Sequence, residues 1–310
     1  MTPQQLPHDA QATLEHLIER LRPLRDGEPQ KPHGAGPDAD GLALAVCTTG
    51  GEETAAGDAD LPIPLQSMSK PFIYGLALDT LGREAVLRKC NVEPTGEAFN
   101  SISELEEDRL PYNPMINSGA ITMSALLHHA DPGGACARML DMFGAYLGGE
   151  ARLDDAMVDR QLDASHRNRA IAHLLRHFEV IGDDIDGALA LYVSQCSVLA
   201  TTRELARMAA TLAHGGVHPL TGRRALEHRH VRDVLSVMFT CGMYDASGTW
   251  AFHVGLPAKS GVSGGIIAVA PGRMGLAAWS PRLNPHGNSV RAGAALKELA
   301  TRWRLGLFDR

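Results

Sequence analysis

Hydrophobic and polar positions alternate in two rhythms along this chain, and each change of rhythm marks an element. Residues 9–23 repeat apolar positions at helical spacing and predict an amphipathic helix. The stretch from Asp26 to Asp40 (DGEPQKPHGAGPDAD) is so rich in Gly, Pro and Asp that it predicts a loop. A strand rhythm follows. GLALAVCT, the Gly50-Gly51 turn and the segment before AGDAD predict a hairpin, because glycine supplies the positive φ that a tight turn requires. From about Ser67 the period becomes helical: SKPFIYGLALDTLG ends in Gly82, and TTRELARMAATLAHGG carries a capping-box pair at Thr201 and Glu204 with an apolar stripe of Leu205, Met208 and Leu212. After about residue 230 strand signals return in GGIIAVAPG and MGLAAWSP, joined by a Pro-Gly turn, and NSVRAGAALKELATRW closes the chain as a helix. The expected architecture is α/β: one part assembled from residues 1–66 and 231–310, a helical part of 67–230 inserted between them, and the functional cleft where they meet.

Composition narrows the function classes. The 310 residues are 44% hydrophobic and 21% charged, the balance of a globular protein. Twenty-nine basic against thirty-six acidic residues give a net charge of -7, so polyanions are not attracted and nucleic acid is not an expected partner. MTPQQLPHDAQ has neither a basic n-region nor an apolar h-region, and the longest apolar runs, GLALAV and GGIIAVA, are far too short for a bilayer; a cytoplasmic protein is expected. Cys47, Cys90, Cys136, Cys196 and Cys241 are odd in number, scattered and never paired as CxxC, which points to neither a disulfide framework nor structural zinc. His173 and His177 in HLLRH have the i,i+4 spacing of a metal-binding helix. Ile171, Leu174, Leu175 and Phe178 form the apolar face there and turn both histidines to solvent, so no metal is expected.

Candidate chemistry begins at QSMSK, where Ser67 and Lys70 lie three apart at a helix start and so share one face. Pro71 sets that boundary, since proline is tolerated only in or near the first turn. Free N–H groups and the positive dipole end then surround a hydroxyl that a lysine of lowered pKa can activate. Taken alone, the pattern equally describes a surface serine and lysine. Lys259-Ser260-Gly261 ahead of VSGGIIAVA adds a second element, on or beside an edge strand, in the order found in serine β-lactamases and penicillin-binding proteins. A cation there keeps Lys70 neutral, and the backbone around Val262 can aim N–H groups at a developing oxyanion; the alternative is a lysine in a glycine-rich loop.

Longer blocks go further. QSMSKPF, NVEPTGEAFNSI, NPMINSGAI, RNRAIA, LYVSQCS, GGVHPLTG, CGMYDASGTWAFHVGLPAKSGVSGGIIAVAPGRMG and SPRLNPHGNSVRA run from residue 66 to residue 292, within a resemblance that covers roughly residues 41 to 306. In them the chain resembles the serine-dependent glutaminases, which share the β-lactamase/transpeptidase-like fold, a mainly antiparallel sheet flanked by helices. The resemblance implies deamidation of L-glutamine to L-glutamate and ammonia through an acyl-serine, with no metal or organic cofactor, by a homo-oligomer, dimer or tetramer. It implies Ser67 as nucleophile, Lys70 as its base and Tyr244 as proton relay. Asn117, Asn168 and Tyr192 match substrate-holding positions, Val262 an oxyanion donor, and Lys259 a supporting cation. Read without the motif, Tyr244 is an ordinary buried aromatic. Asn168 lies three before Ile171 and seven before Leu175, on the apolar side of its helix; a helix cap is the competing role.

Two positions depart from the family. Gln161 stands where a glutamate usually faces the substrate's α-ammonium, and Gly27-Glu28-Pro29 is the nearest counterpart of a Tyr-Ile-Pro segment. Both concern substrate holding, so two rivals remain: a serine amidase for another primary amide, and a weakly active amino-acid-binding homologue. A β-lactam-processing enzyme ranks last, since such enzymes usually work outside the cytoplasm. The polar NSISELEEDRLPYNP segment, around residues 100–112, is expected to form a lid.

Overall fold

The computed structural model describes residues 5–29, 40–95 and 109–309; most of the expected lid lies outside them. The first helix, α1 (Ala10–Leu21), buries Leu14, Leu17, Ile18 and Leu21, the stripe its spacing predicts. The Asp26–Asp40 stretch is not loop throughout. Glu28–Pro29 forms β1, antiparallel to β10 (Arg282–Leu283), with Glu28 opposite Leu283. A two-residue strand has no periodicity of its own, and its partner lies at the other end of the chain.

The predicted hairpin is β2 (Ala43–Thr48) and β3 (Glu53–Gly57), turning through Gly51 at φ +87°. Late in the chain come β7 (Ala258–Ser260), β8 (Gly265–Ala270) and β9 (Met274–Trp279). The five form one antiparallel sheet in the order β3-β2-β9-β8-β7, with β7 at an edge. Successive side chains point to opposite faces, and both faces are buried. Leu44 and Val46 pack with α1, whereas Ala43, Ala45 and Cys47 join the core on the helical side. Burial on both sides is why these strands read as unbroken apolar runs.

The remaining described helices are α2 (Lys70–Leu81), α3 (Arg83–Leu87), α4 (Asn117–Ala130), α5 (Ala135–Leu147), α6 (Asp155–Asp163) and α7 (His166–His177), followed by α8 (Ile185–Cys196), α9 (Thr202–Ala213), α10 (His228–Cys241), α11 (Ser247–His253) and α12 (Val290–Arg302). Helix α12 covers the same face as α1, and α9 lies on the other, against β2, β8 and β9. The capping box of α9 forms as read: Thr201 Oγ1 accepts from Glu204 N, and Glu204 Oε2 accepts from Thr201 N. Among the described residues no helix is long and apolar enough to cross a membrane.

A second, three-stranded sheet was not legible in the sequence. It pairs β4 (Ile63–Pro64) and β5 (Arg152–Leu153) with β6 (Val198–Ala200), strands too short to show a period. Its consequence is local: Leu65 N donates to Val198 O at 2.8 Å, pinning the chain just before QSMS to the segment that follows α8.

Candidate active site

The QSMS segment is a single 3₁₀ turn, Gln66–Ser69, that runs into α2 at Lys70. Gln66 is left-handed, at φ +48°, and Ser67 follows it, 8% exposed. Pro71 sits in the first turn of α2, where its missing N–H is no loss. Lys70 is only 1% exposed, and its Nζ donates to Asn117 Oδ1 at 2.7 Å. Asn117 opens α4, launched by an Asx turn in which Asn113 Oδ1 accepts from Met115 N. Its Nδ2 donates to Asn168 Oδ1 at 3.1 Å. Neutral amides do not repay the desolvation of an ammonium, so burial lowers the Lys70 pKa to about 8.

Tyr244 comes to Ser67 from a distant part of the chain. It follows α10 in a short 3₁₀ turn and is itself left-handed, at φ +56°. Its hydroxyl lies beside that of Ser67 and donates to Ser260 O at 3.4 Å. Burial raises its pKa to about 12, with the Ser67 and Ser260 hydrogen bonds opposing, so the phenol is protonated at neutral pH. Lys259 is on edge strand β7, as its sequence context suggests. Its Nζ lies 4.1 Å from the Tyr244 ring centroid and donates to Gly242 O at 3.0 Å and Ser260 O at 2.8 Å. Burial, and secondly the nearby Lys70, holds Lys259 well below the usual lysine range.

Tyr192, 5% exposed on α8, lies one helical turn before Cys196, whose thiol sits near both Tyr192 and Ser69. Burial raises that thiol to about 11, with Lys70 opposing, so it is neutral. Asn168 is half-buried in the first turn of α7, whose cap position is Ser165; the capping alternative for Asn168 therefore falls. His173 and His177 on the same helix are exposed. Val262 lies in the β7–β8 turn, half-buried, and its N–H carries no hydrogen bond among the described residues. Gln161, near the end of α6, has a buried Nε2 with no partner among the described residues. Glu28 and Pro29 are exposed in β1.

The structure thus gathers Ser67, Tyr244 and Lys259 in one contact chain and Lys70, Asn117 and Asn168 in another, with Tyr192 joined through Cys196. Among the described residues no hydrogen bond or ion pair ties Gln161 or Val262 to either chain. Sequence reading missed Cys196, although its i,i+4 spacing from Tyr192 was a usable signal, and missed Ser69 and Ser247, which carried none.

The glutaminase family model matches residues 32–308. The chain belongs to the glutaminase family. A glutaminase of Trichormus variabilis is 43% identical over 305 residues, 98% of this chain and 91% of that one. Among solved structures, Mglu in its glutamate form matches with a TM-score of 0.92 at 40% identity, over 98% of this chain and 71% of that one. A probable glutaminase of Bacillus subtilis matches with a TM-score of 0.90 at 31% identity, over 97% of this chain and 98% of that one. These agreements bear out the β-lactamase-like α/β fold expected for this glutaminase, with its antiparallel sheet between helical layers.

Proposed function

We propose that this enzyme hydrolyses L-glutamine to L-glutamate and ammonia through an acyl-serine intermediate on Ser67. The observation that supports it best is a buried Ser67–Tyr244 hydroxyl pair flanked by Lys70 and Lys259, two lysines that burial pushes toward the neutral form. Neutral Lys70 accepts the Ser67 proton as Oγ attacks the amide carbon, and the backbone N–H of Val262 meets the oxyanion. Tyr244 passes a proton to the departing amine as the C–N bond breaks, releasing ammonia. Water then attacks the ester by the reverse route, releasing glutamate and restoring the serine. Asn117, Asn168, Tyr192 and Gln161 hold the amino-acid end with neutral groups, which hydrogen-bond without adding buried charge. Lys259 packs its amine against the Tyr244 ring and donates to Ser260 O, the same carbonyl that accepts from the Tyr244 hydroxyl, and so fixes where the relay sits.

Ammonia release by purified protein tests this, with glutamine, asparagine and simple amides side by side. Ser67→Ala is expected to lose roughly 10³-fold or more in kcat while remaining folded, because alanine suits a helix start and only the nucleophile is gone. Near-normal ammonia release by that variant would overturn the acyl-serine route. The unpartnered Nε2 of Gln161 favours a second reading, a serine amidase for another primary amide, which faster turnover of a neutral amide than of glutamine would support. We further infer a cytoplasmic homo-oligomer, dimer or tetramer. Five unpaired cysteines, four of them buried, suit a reducing compartment, and light scattering reads the assembly.

A further inference from the structure

Among the described residues five non-glycines have left-handed backbone, and two of them, Gln66 and Tyr244, frame the reacting hydroxyls. Such a conformation is unfavourable for a residue with a side chain and persists only where its surroundings over-determine it. Both turns are held in one way. Ser69 Oγ donates to Gln66 O at 2.7 Å, and Ser247 Oγ donates to Tyr244 O at 2.8 Å, each serine lying three residues after the strained one. Ser247 Oγ also accepts from Met243 N at 3.0 Å, and Asn288 Nδ2 donates to Met243 O at 3.2 Å. Ser69 and Ser247 are 0% and 6% exposed, so water does not compete for these bonds. Elsewhere the pattern differs: the carbonyls of left-handed Glu179 and Arg304 accept from the side chains of Lys89 and Arg273.

The two turns come from distant parts of the chain, one between β4 and α2, the other between α10 and α11. No single segment sets the distance between Ser67 and Tyr244; each turn must be anchored on its own. Relaxing Gln66 or Tyr244 toward negative φ would swing the adjoining backbone and part the two hydroxyls.

We propose that Ser69 and Ser247 are positioning residues, a matched pair of clamps that fix the left-handed turns and so set the Ser67–Tyr244 contact through which the proton moves. This rests on the acyl-serine reading above.

The test compares Ser69→Ala, Ser247→Ala and the two threonine variants with Ser67→Ala in the ammonia assay, with circular dichroism to establish folding. Misplacing a reacting group by ~1 Å costs on the order of 10²-fold, so each alanine variant should lose ~10- to 100-fold in kcat. KM should stay within about threefold, because neither serine is among the groups assigned to hold substrate. Threonine keeps the hydroxyl and should restore kcat to within about threefold of wild type. Should an alanine variant not fold, cysteine takes its place: a thiol occupies the same site but donates poorly, and kcat should fall likewise. Wild-type kcat in the alanine or cysteine variants, a loss confined to KM, or a loss that threonine does not restore would overturn the clamp. If Ser67→Ala is inactive while the clamp variants are fully active, the clamp alone is wrong. If Ser67→Ala remains active, the acyl-serine reading fails and the clamp with it.

Discussion

Lys70 is buried with a neutral amide, Asn117, on its amine, and that environment sets a pH dependence. Only the neutral amine accepts a proton, and burial lowers its pKa to about 8. kcat/KM is therefore expected to rise with pH toward about 8 and level off above it, a limb that a pH–rate profile from about pH 6 to about pH 9 would show. A flat profile over that range would remove Lys70 as the titrating base. Gln161 invites the second change at this scale. A carboxylate facing an ammonium forms a charge-assisted hydrogen bond worth roughly 1.5–3 kcal/mol, whereas an amide carbonyl offers only its dipole. Gln161→Glu should thus raise kcat/KM for glutamine by roughly 10- to 150-fold, mainly through KM, with little effect on an uncharged amide. A wild type of low-millimolar KM that the glutamate variant does not improve would mean that another acceptor holds the ammonium. Ser67, Lys70 and Lys259 were readable because their chemistry is tied to fixed spacing in short motifs. Ser69 and Ser247 were not, since a serine becomes a clamp only through the φ of a neighbour.

The contact between α9 and β9 tests how elements are packed. A Cβ added to Gly275 would lie 2.1 Å from Ala210 N and 2.4 Å from Ala206 O, both backbone atoms of α9. The alanine-rich face of that helix rests almost directly on the strand. Gly275→Ala must push the helix off the sheet, and overpacking of this kind destabilises by about 1–3 kcal/mol. Gly293, within α12, has open space where its Cβ would go, and its φ is not left-handed. There the same substitution should stabilise by about 0.5–1 kcal/mol, by removing glycine's excess backbone freedom. Urea unfolding of the two variants should therefore shift in opposite directions; an unshifted Gly275→Ala midpoint would contradict the close approach. Helices α1, α2, α7 and α12 were legible from their periods, and α9 from its capping box as well. The pairings β1–β10 and β4–β6–β5 were not, because strands of two or three residues exist only by virtue of distant partners.

For the whole molecule, the site is a source of instability. Burial lowers the pKa of Lys70 in the folded chain, so the unfolded chain binds the extra proton between about 8 and the ordinary value of 10.5. Stability then rises with pH across that window, and the penalty is present in full below it. Lys70→Met, which keeps the length and removes the charge, should raise the stability at neutral pH by about 1–3 kcal/mol, less whatever the unpaired Asn117 carbonyl loses, while abolishing turnover. The gain should fade as the pH approaches 10.5. Thermal melts at the two pH values would check it, and a Lys70→Met protein less stable at neutral pH would refute it. At this scale the chain by itself determined α1, α2, α7, α9, α12 and the strands β2, β3, β8 and β9, because hydrophobic periodicity and turn chemistry are local. It also singled out the candidate reactive groups, because their motifs are contiguous. Tertiary structure alone decided that the turn after β4, the link after α10 and edge strand β7 converge on one point. It decided too that both lysines there are dry, since desolvation is imposed by neighbours far away in the sequence.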